Sequence, residues 1–364
     1  MRILIIRSIG KNKYGGGERW VINAATGLHN SGHFVTVAGV KDSILLQEAQ
    51  KNGLKTTHLN IFTDFNVLQA YKLSRFILKN KFDIVICKGR ELIVTGLACK
   101  WANNTPLIRR TGLPPKNPNS RKMVWRTRWF IDGVITNTQT IQQLYYNNGF
   151  TQKDFVKVVY NGLVTHDSVP AFDFSSIFPG KKIILCVGRV VSDKGYNFII
   201  DALPAIKQAD RAVMVYVLGE GKEKTRLKKY AREKNVDDMI HFAGYVHQPV
   251  PYIKGCDLFL HASLIEGMPN AAMEAMAYAK PVIMTRVNGA EELTNNGEYA
   301  LLIPPADPLA IERAVIRAMQ ELESLKQKSL EAQQYVRNKF GMHNMVSSLE
   351  EYLTDRVNKK KNRS

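Results

Sequence analysis

Two carboxylates, Glu266 and Glu274, flank a Gly-Met-Pro-Asn turn and offer the clearest chemistry in this 364-residue chain. The run His261-Ala262-Ser263-Leu264-Ile265-Glu266-Gly267-Met268-Pro269-Asn270 reads as a strand end, a turn, and a helix opening near Asn270. Free N–H groups in a helix's first turn favour phosphate or another electron-rich oxygen. Glu266 precedes that helix and Glu274 lies a turn inside it, so both can border one pocket. Carboxylates beside a polyol accept hydrogen bonds from its hydroxyls. A capped helix carrying two solvated acids is the alternative that spacing alone leaves open.

Three further loops carry chemistry. Gly188-Arg189-Val190-Val191-Ser192-Asp193-Lys194-Gly195 follows a strand and leads into a helix. Its Arg189 and Lys194 can hold a pyrophosphate, one as a fork and one as a point charge; a solvated basic loop is the plainer reading. Gly219-Glu220-Gly221 follows a long apolar strand, where glycine lets backbone approach a ligand closely. Tyr14-Gly15-Gly16-Gly17-Glu18-Arg19 sits between the first strand and first helix, without the Lys-Ser/Thr of a P-loop or the spacing of a dinucleotide fingerprint. No Asp-x-Asp pair occurs, so nothing supplies an obvious Mg²⁺ site.

The elements that must position these loops alternate in the manner of βα units. Residues 3–6 form an apolar strand, and Trp20, Val21, Ala24, Ala25 and Leu28 mark the helix after it. Strands are expected at 34–40, 84–87, 133–136 and 156–160. After an aperiodic stretch at 165–180 the pattern restarts, with strands at 182–187, 212–218, 258–261 and 282–284 and helices at 196–206 and 222–234. From Pro308 the chain reads as helical almost to its end, with Lys359-Lys360-Lys361 as a frayed tail. The expected division is 1–170, 171–342 and a C-terminal helix with basic tail, 343–364, packing back on the N-terminal part. The fold class is α/β: two Rossmann-like domains facing across a cleft, with ligands at the carboxyl ends of the strands.

Composition excludes several classes. The chain is 45% hydrophobic and 23% charged, which is globular rather than disordered. No window reaches the 18 apolar residues of a membrane span, and residues 1–6 run too abruptly into Arg7 to read as a signal peptide. Cys87, Cys99, Cys186 and Cys256 show no CxxC pairing and read as reduced core thiols of a cytoplasmic protein. The net charge of +19 is uneven. Residues 1–170 hold 24 basic against 9 acidic groups, whereas 171–355 hold 22 against 23. Such a field attracts an anionic partner. No RNA- or DNA-binding module is visible, and nucleic acid would leave the loops of 183–308 without purpose.

Together the loops resemble those of retaining glycosyltransferase family 4, of the GT-B architecture. The residues carrying the resemblance are Gly15-Gly16-Gly17-Glu18-Arg19, Asn161-Gly162, Gly188-Arg189 with Lys194-Gly195, and Gly219-Glu220-Gly221. Phe242-Ala243-Gly244-Tyr245-Val246, Glu266 to Glu274 with Pro269-Asn270 between, Pro281-Val282-Ile283 and Ile303-Pro304-Pro305-Ala306-Asp307-Pro308 extend it. The resemblance implies a metal-independent transfer of a hexose-type sugar from a nucleoside-diphosphate sugar, a UDP-sugar being favoured, with anomeric configuration retained and no cofactor. Glu266, Arg189 and Lys194 would be catalytic, the two cations neutralising the departing diphosphate. Gly15, Gly16, Gly188, Gly219, Tyr245, Val246, Gly267, Met268, Pro269, Asn270 and Glu274 would bind the donor, Glu274 through its ribose.

One departure stands out. Family members often carry a His in the N-terminal domain near the end of a central strand, where this chain reads Leu107-Ile108-Arg109-Arg110-Thr111-Gly112. Arg109, Arg110 or Thr111 would take that place or bind an anionic acceptor; a structural loop is the alternative. The basicity of 1–170 fits a phosphorylated or lipid-linked glycan acceptor in cell-surface polysaccharide or lipopolysaccharide synthesis. Trp125 and Trp129, four residues apart among Arg121, Lys122, Arg126 and Arg128, suit an anionic membrane surface and a peripheral place on its cytoplasmic face. Core packing of both indoles is the plainer reading. A soluble small-molecule acceptor, or a non-catalytic scaffold of the same fold, are the competing functions.

Overall fold

The computed structural model describes all residues except 62–64, 90, 115–120, 151–153 and 363–364, together with the side chains of Lys122 and Met123. The chain divides into two units, one of residues 1–162 with 340–364 and one of residues 163–339. The expected boundaries at 170 and 342 therefore shift to the Gly162–Leu163 and Lys339–Phe340 junctions.

The first unit runs β1 (Arg2–Arg7), α1 (Gly16–Asn30), β2 (Phe34–Gly39), α2 (Ile44–Lys51), β3 (Lys55–His58), α3 (Val67–Lys79) and β4 (Ile84–Cys87). It continues through α4 (Leu92–Trp101), β5 (Leu107–Arg110), α5 (Arg121–Phe130), β6 (Gly133–Thr136), α6 (Gln139–Asn147) and β7 (Val156–Val158). All its strands are parallel, in the order β3-β2-β1-β4-β5-β6-β7. The apolar runs are buried on both faces, as a sheet between two helix layers requires. One layer buries Trp20, Val21, Ala24, Ala25 and Leu28 of α1 against Ile3, Ile5 and Ile86. The other buries Leu73 and Ile77 of α3 and Val94 and Ala98 of α4 against Leu4, Val85 and Val134.

The second unit runs β8 (Lys182–Val187), α7 (Tyr196–Ala209), β9 (Val213–Leu218), α8 (Lys224–Glu233), β10 (Ile240–Gly244), α9 (Val250–Gly255) and β11 (Leu258–His261). Then come α10 (Asn270–Ala277), β12 (Val282–Thr285), α11 (Ala290–Thr294), β13 (Leu301–Ile303), α12 (Pro308–Gln320) and α13 (Leu322–Lys339). Its parallel sheet has the order β10-β9-β8-β11-β12-β13. In each sheet the order reverses once, between β1 and β4 and between β8 and β11. Such a switch point leaves a crevice at the carboxyl ends of the strands.

The last helix, α14 (Met342–Lys361), returns to the first unit. Met345, Leu349, Tyr352, Leu353 and Val357 enter the core that α1 lines. The Tyr352 hydroxyl donates to the Phe155 carbonyl at 2.7 Å. Lys359 to Lys361 are helical rather than frayed, because Lys360 pairs with Asp132 and Lys359 with Asp355. The four cysteines are buried and unpaired.

Candidate functional site

In the second unit the loops that follow β8, β9, β10 and β11 are tied together by backbone. Gly188 N–H donates to Leu218 O, Val190 N–H to Glu220 O, and Gly219 N–H to Gly244 O, at 2.7–2.9 Å. Leu264 N–H donates to Asp193 O at 2.8 Å, joining the loop after β11 to that after β8. The glycines exist for this approach. A Cβ on Gly219 would stand 1.8 Å from Gly188 O, and one on Gly195 (φ +67°) would stand 2.1 Å from Ala262 O.

Glu266 is the focus. His261, the last residue of β11, presents Nε2 to Glu266 Oε1 at 3.0 Å, and Ser263 Oγ donates to the same oxygen at 3.0 Å. The Lys194 ammonium also pairs with Oε1. All three donors converge on one oxygen, and no described residue donates to Oε2. Burial would raise the Glu266 pKa, but the hydrogen bond and charge of His261 and the Lys194 cation outweigh it and hold it at about 2. The result is a part-buried carboxylate, ionised at neutral pH, with one oxygen unengaged by the described residues.

Around this focus the remaining expected residues take distinct places. Gly267, Met268 and Pro269 are buried in the turn, and Asn270 opens α10 without a side-chain cap before it. Glu274 lies in α10's second turn, half-buried. Arg189 is exposed on the loop after β8, and Tyr245, 70% exposed, and Val246 follow β10. His261 and Ser263 were given no role by sequence reasoning; the signal for His261 was its position at a strand's carboxyl end, five residues before Glu266.

The first unit has its own polar cluster. Arg7 ends β1 and clamps Glu18 of α1 through Nε at 2.8 Å and Nη2 at 2.7 Å, while Glu18 caps Gly15 N–H at 3.0 Å. A Cβ on Gly15, just before α1, would meet nothing nearer than Glu18 Oε2 at 3.7 Å, whereas one on Gly17 would stand 2.1 Å from Lys88 Nζ. The Arg109-Arg110-Thr111 trio is not one site, because successive strand residues face opposite ways. Arg110 lies over the Trp20 ring at 4.8 Å and donates to Asn161 Oδ1 at 3.0 Å. The charge of Arg109 acts instead on Cys87 and Tyr145, and Thr111 Oγ1 donates to Leu113 O at 3.1 Å. Trp125 and Trp129 are 50% and 59% exposed, so they do not pack into the core. The Lys122 side chain of the same basic patch lies outside the described residues.

Among the described residues no group of three or more His, Cys, Asp or Glu could hold a metal ion, and no helix is long and apolar enough to cross a membrane.

Comparison with known proteins agrees with this fold. Residues 14–167 match the family described as Glycosyltransferase Family 4, and residues 170–335 match Glycosyl transferases group 1. The lipopolysaccharide core biosynthesis glycosyltransferase LpsE of Rhizobium meliloti is 29% identical over 50% of this chain and 53% of its own length. An uncharacterized glycosyltransferase of Methanocaldococcus jannaschii, MJ1059, is 24% identical over 66% of this chain and 63% of its own. The chain thus matches between about half and two thirds of the length of these relatives. Anabaena Alr3699/HepE, solved in complex with UDP, shares the fold with a TM-score of 0.84 at 20% identity, over 98% of this chain and 100% of that one. With both halves matched and the GT-B fold shared end to end, the chain belongs to the glycosyltransferases that these two family descriptions name.

Proposed function

We propose that the chain is a retaining, metal-independent glycosyltransferase that moves a hexose-type sugar from a nucleoside-diphosphate sugar, a UDP-sugar by preference, to an anionic or lipid-linked glycan. The observation that carries this reading is Glu266, ionised and fixed through Oε1 with Oε2 left for a sugar hydroxyl. Lys194, already at Glu266, and Arg189 on the same loop supply cations for the diphosphate as charge grows on the leaving group. They do what a divalent ion would otherwise do. Backbone N–H groups of Gly267, Met268 and Asn270, with Pro269 shaping the turn, would hold the donor sugar, Glu274 the ribose hydroxyls, and Tyr245 and Val246 the base. Gly188 and Gly219 keep the backbone close enough to the phosphates, and Gly15 and Gly16 open the loop of the first unit. HepE's complexes with UDP and with UDP-glucose support the donor class.

For the acceptor, support comes from the charge of the first half and from relatives. One is named for lipopolysaccharide core biosynthesis, and another, from Campylobacter jejuni, for transfer to a diphospho-undecaprenol-linked sugar. The exposed Trp125 and Trp129, with Arg121, Arg126 and Arg128 on the same helix, support docking to an anionic membrane surface from the cytoplasmic side. A thermal-shift screen against UDP, GDP, ADP and CMP identifies the base, since a ligand of the folded state raises the melting temperature. Product analysis with the corresponding sugar nucleotides then tests transfer. Nucleotide-sugar turnover unchanged in Glu266→Ala and Lys194→Ala would refute the site.

A further inference from the structure

Three adjacent strands of the first sheet, β1, β4 and β5, deliver cations at their carboxyl ends: Arg7, Lys88 and Arg110. Lys88 directly follows β4, at the switch point between β1 and β4 where open α/β sheets bind ligands. Its ammonium stands over Gly17 in the first turn of α1.

The three cations are unequally compensated. Arg7 has Glu18. Arg110, 4% exposed, has the neutral Asn161 and the Trp20 ring, and its Nε has no partner. Lys88, half-buried, forms no side-chain hydrogen bond or ion pair with any described residue. The nearby Glu91 is wholly buried, its Oε2 is unpartnered, and burial raises its pKa, which weakens it as a counter-ion. Burial first, and then the charges of Arg110 and Arg7, pull the Lys88 ammonium down to about 8. Buried cations without partners are costly, and they persist where a ligand completes them.

We infer that Lys88, with Arg110 and Arg7, binds a phosphate group carried by the acceptor. Inward-facing cations at one crevice, with backbone N–H groups of the α1 start beside them, suit a compact dianion. Assignment of that phosphate to the acceptor rests on the function proposed above, in which Arg189 and Lys194 already serve the donor diphosphate.

Calorimetric titration of the full chain with glucose 6-phosphate, in the presence and absence of saturating UDP, tests this. Wild type binds glucose 6-phosphate in both conditions; Lys88→Met weakens it about tenfold or more while UDP affinity stays within about twofold, the loss of one charge-assisted contact. Without ligand, Lys88→Met melts higher by about 2–4 °C, because it removes a half-buried cation that Arg110 and Arg7 repel. A residue with a merely structural role would lower the melting temperature instead. Gly17→Ala, which displaces the ammonium, weakens glucose 6-phosphate in the same direction. Equal glucose 6-phosphate affinity in wild type and Lys88→Met overturns the proposal. So does competition by UDP with parallel loss of both ligands, which would give the cations to the donor. Failure of UDP binding in wild type ends the donor reading alone, and failure of glucose 6-phosphate binding ends the phosphate site alone.

Discussion

His261 and Glu266 meet at 3.0 Å, Nε2 to Oε1, across the tight turn that joins β11 to the start of α10. The strand delivers the imidazole, and the turn brings the carboxylate back over it. Together with Ser263 and Lys194 this fixes Glu266 before any ligand arrives, so little reorganisation is left for binding. Replacing His261 by Ala removes a donor to a part-buried carboxylate. Stability should fall by about 1–3 kcal/mol and turnover by at least tenfold, read by urea unfolding and steady-state kinetics.

Glu266 should also leave a mark on the pH dependence of stability. Its pKa lies at about 2 in the fold, below the ordinary 4.5. A depressed carboxylate stabilises above its unfolded value, and that contribution is lost as pH falls toward the folded one. The loss should be of order 3 kcal/mol between about pH 5 and pH 2. Glu266→Gln should flatten that part of the profile, measured by denaturant unfolding at stepped pH.

Gly219 tests whether the glycine loops are bound by sterics. Its φ of +157° is one that L residues rarely adopt, and the Cβ of an alanine would also meet Gly188 O at 1.8 Å. Gly219→Ala should destabilise by about 1–3 kcal/mol through forced backbone movement. Thermal unfolding reads this, with nucleotide affinity falling in parallel.

Trp125 and Trp129 lie against one another, tilted, with ring centroids 6.1 Å apart while half or more exposed. Changing both to Ala should leave the melting temperature nearly unchanged and reduce sedimentation with anionic vesicles several-fold at low salt. Equal partitioning of the wild-type chain to neutral and anionic vesicles would sink the membrane proposal.

Much of the architecture was legible because buried parallel strands write themselves as short apolar runs. Residues 84–87 and 133–136, read as strands, are β4 and β6. Lys55–His58 escaped because it is a polar edge strand with no fully buried residue. Leu107–Arg110 ends in two arginines, which disguise a buried strand. Glu266, Lys194 and the glycine loops could be picked out from residue type and spacing. His261 and Lys88 could not, since a His ending an apolar run and a Lys after one are ordinary residues until folding brings them to the crevice. The pairing of Lys194 with Glu266 joins loops after different strands, and no local pattern encodes it.

Leu349, wholly buried in the core shared by α1 and α14, gives a last mutational test. Leu349→Ala should cost about 2–5 kcal/mol, detected as an early unfolding step of the first unit in a denaturant titration.

That core has a consequence for how the molecule is made. Its closing helix is encoded after the whole of the second unit, so a growing chain carries an unfinished first unit until Leu349, Leu353 and Val357 leave the ribosome. The second unit, uninterrupted from 163 to 339, can fold first and bring the two distant segments together, lowering the entropy of closing so long a loop. Order of synthesis and order of completion are therefore reversed: the part begun first is finished last.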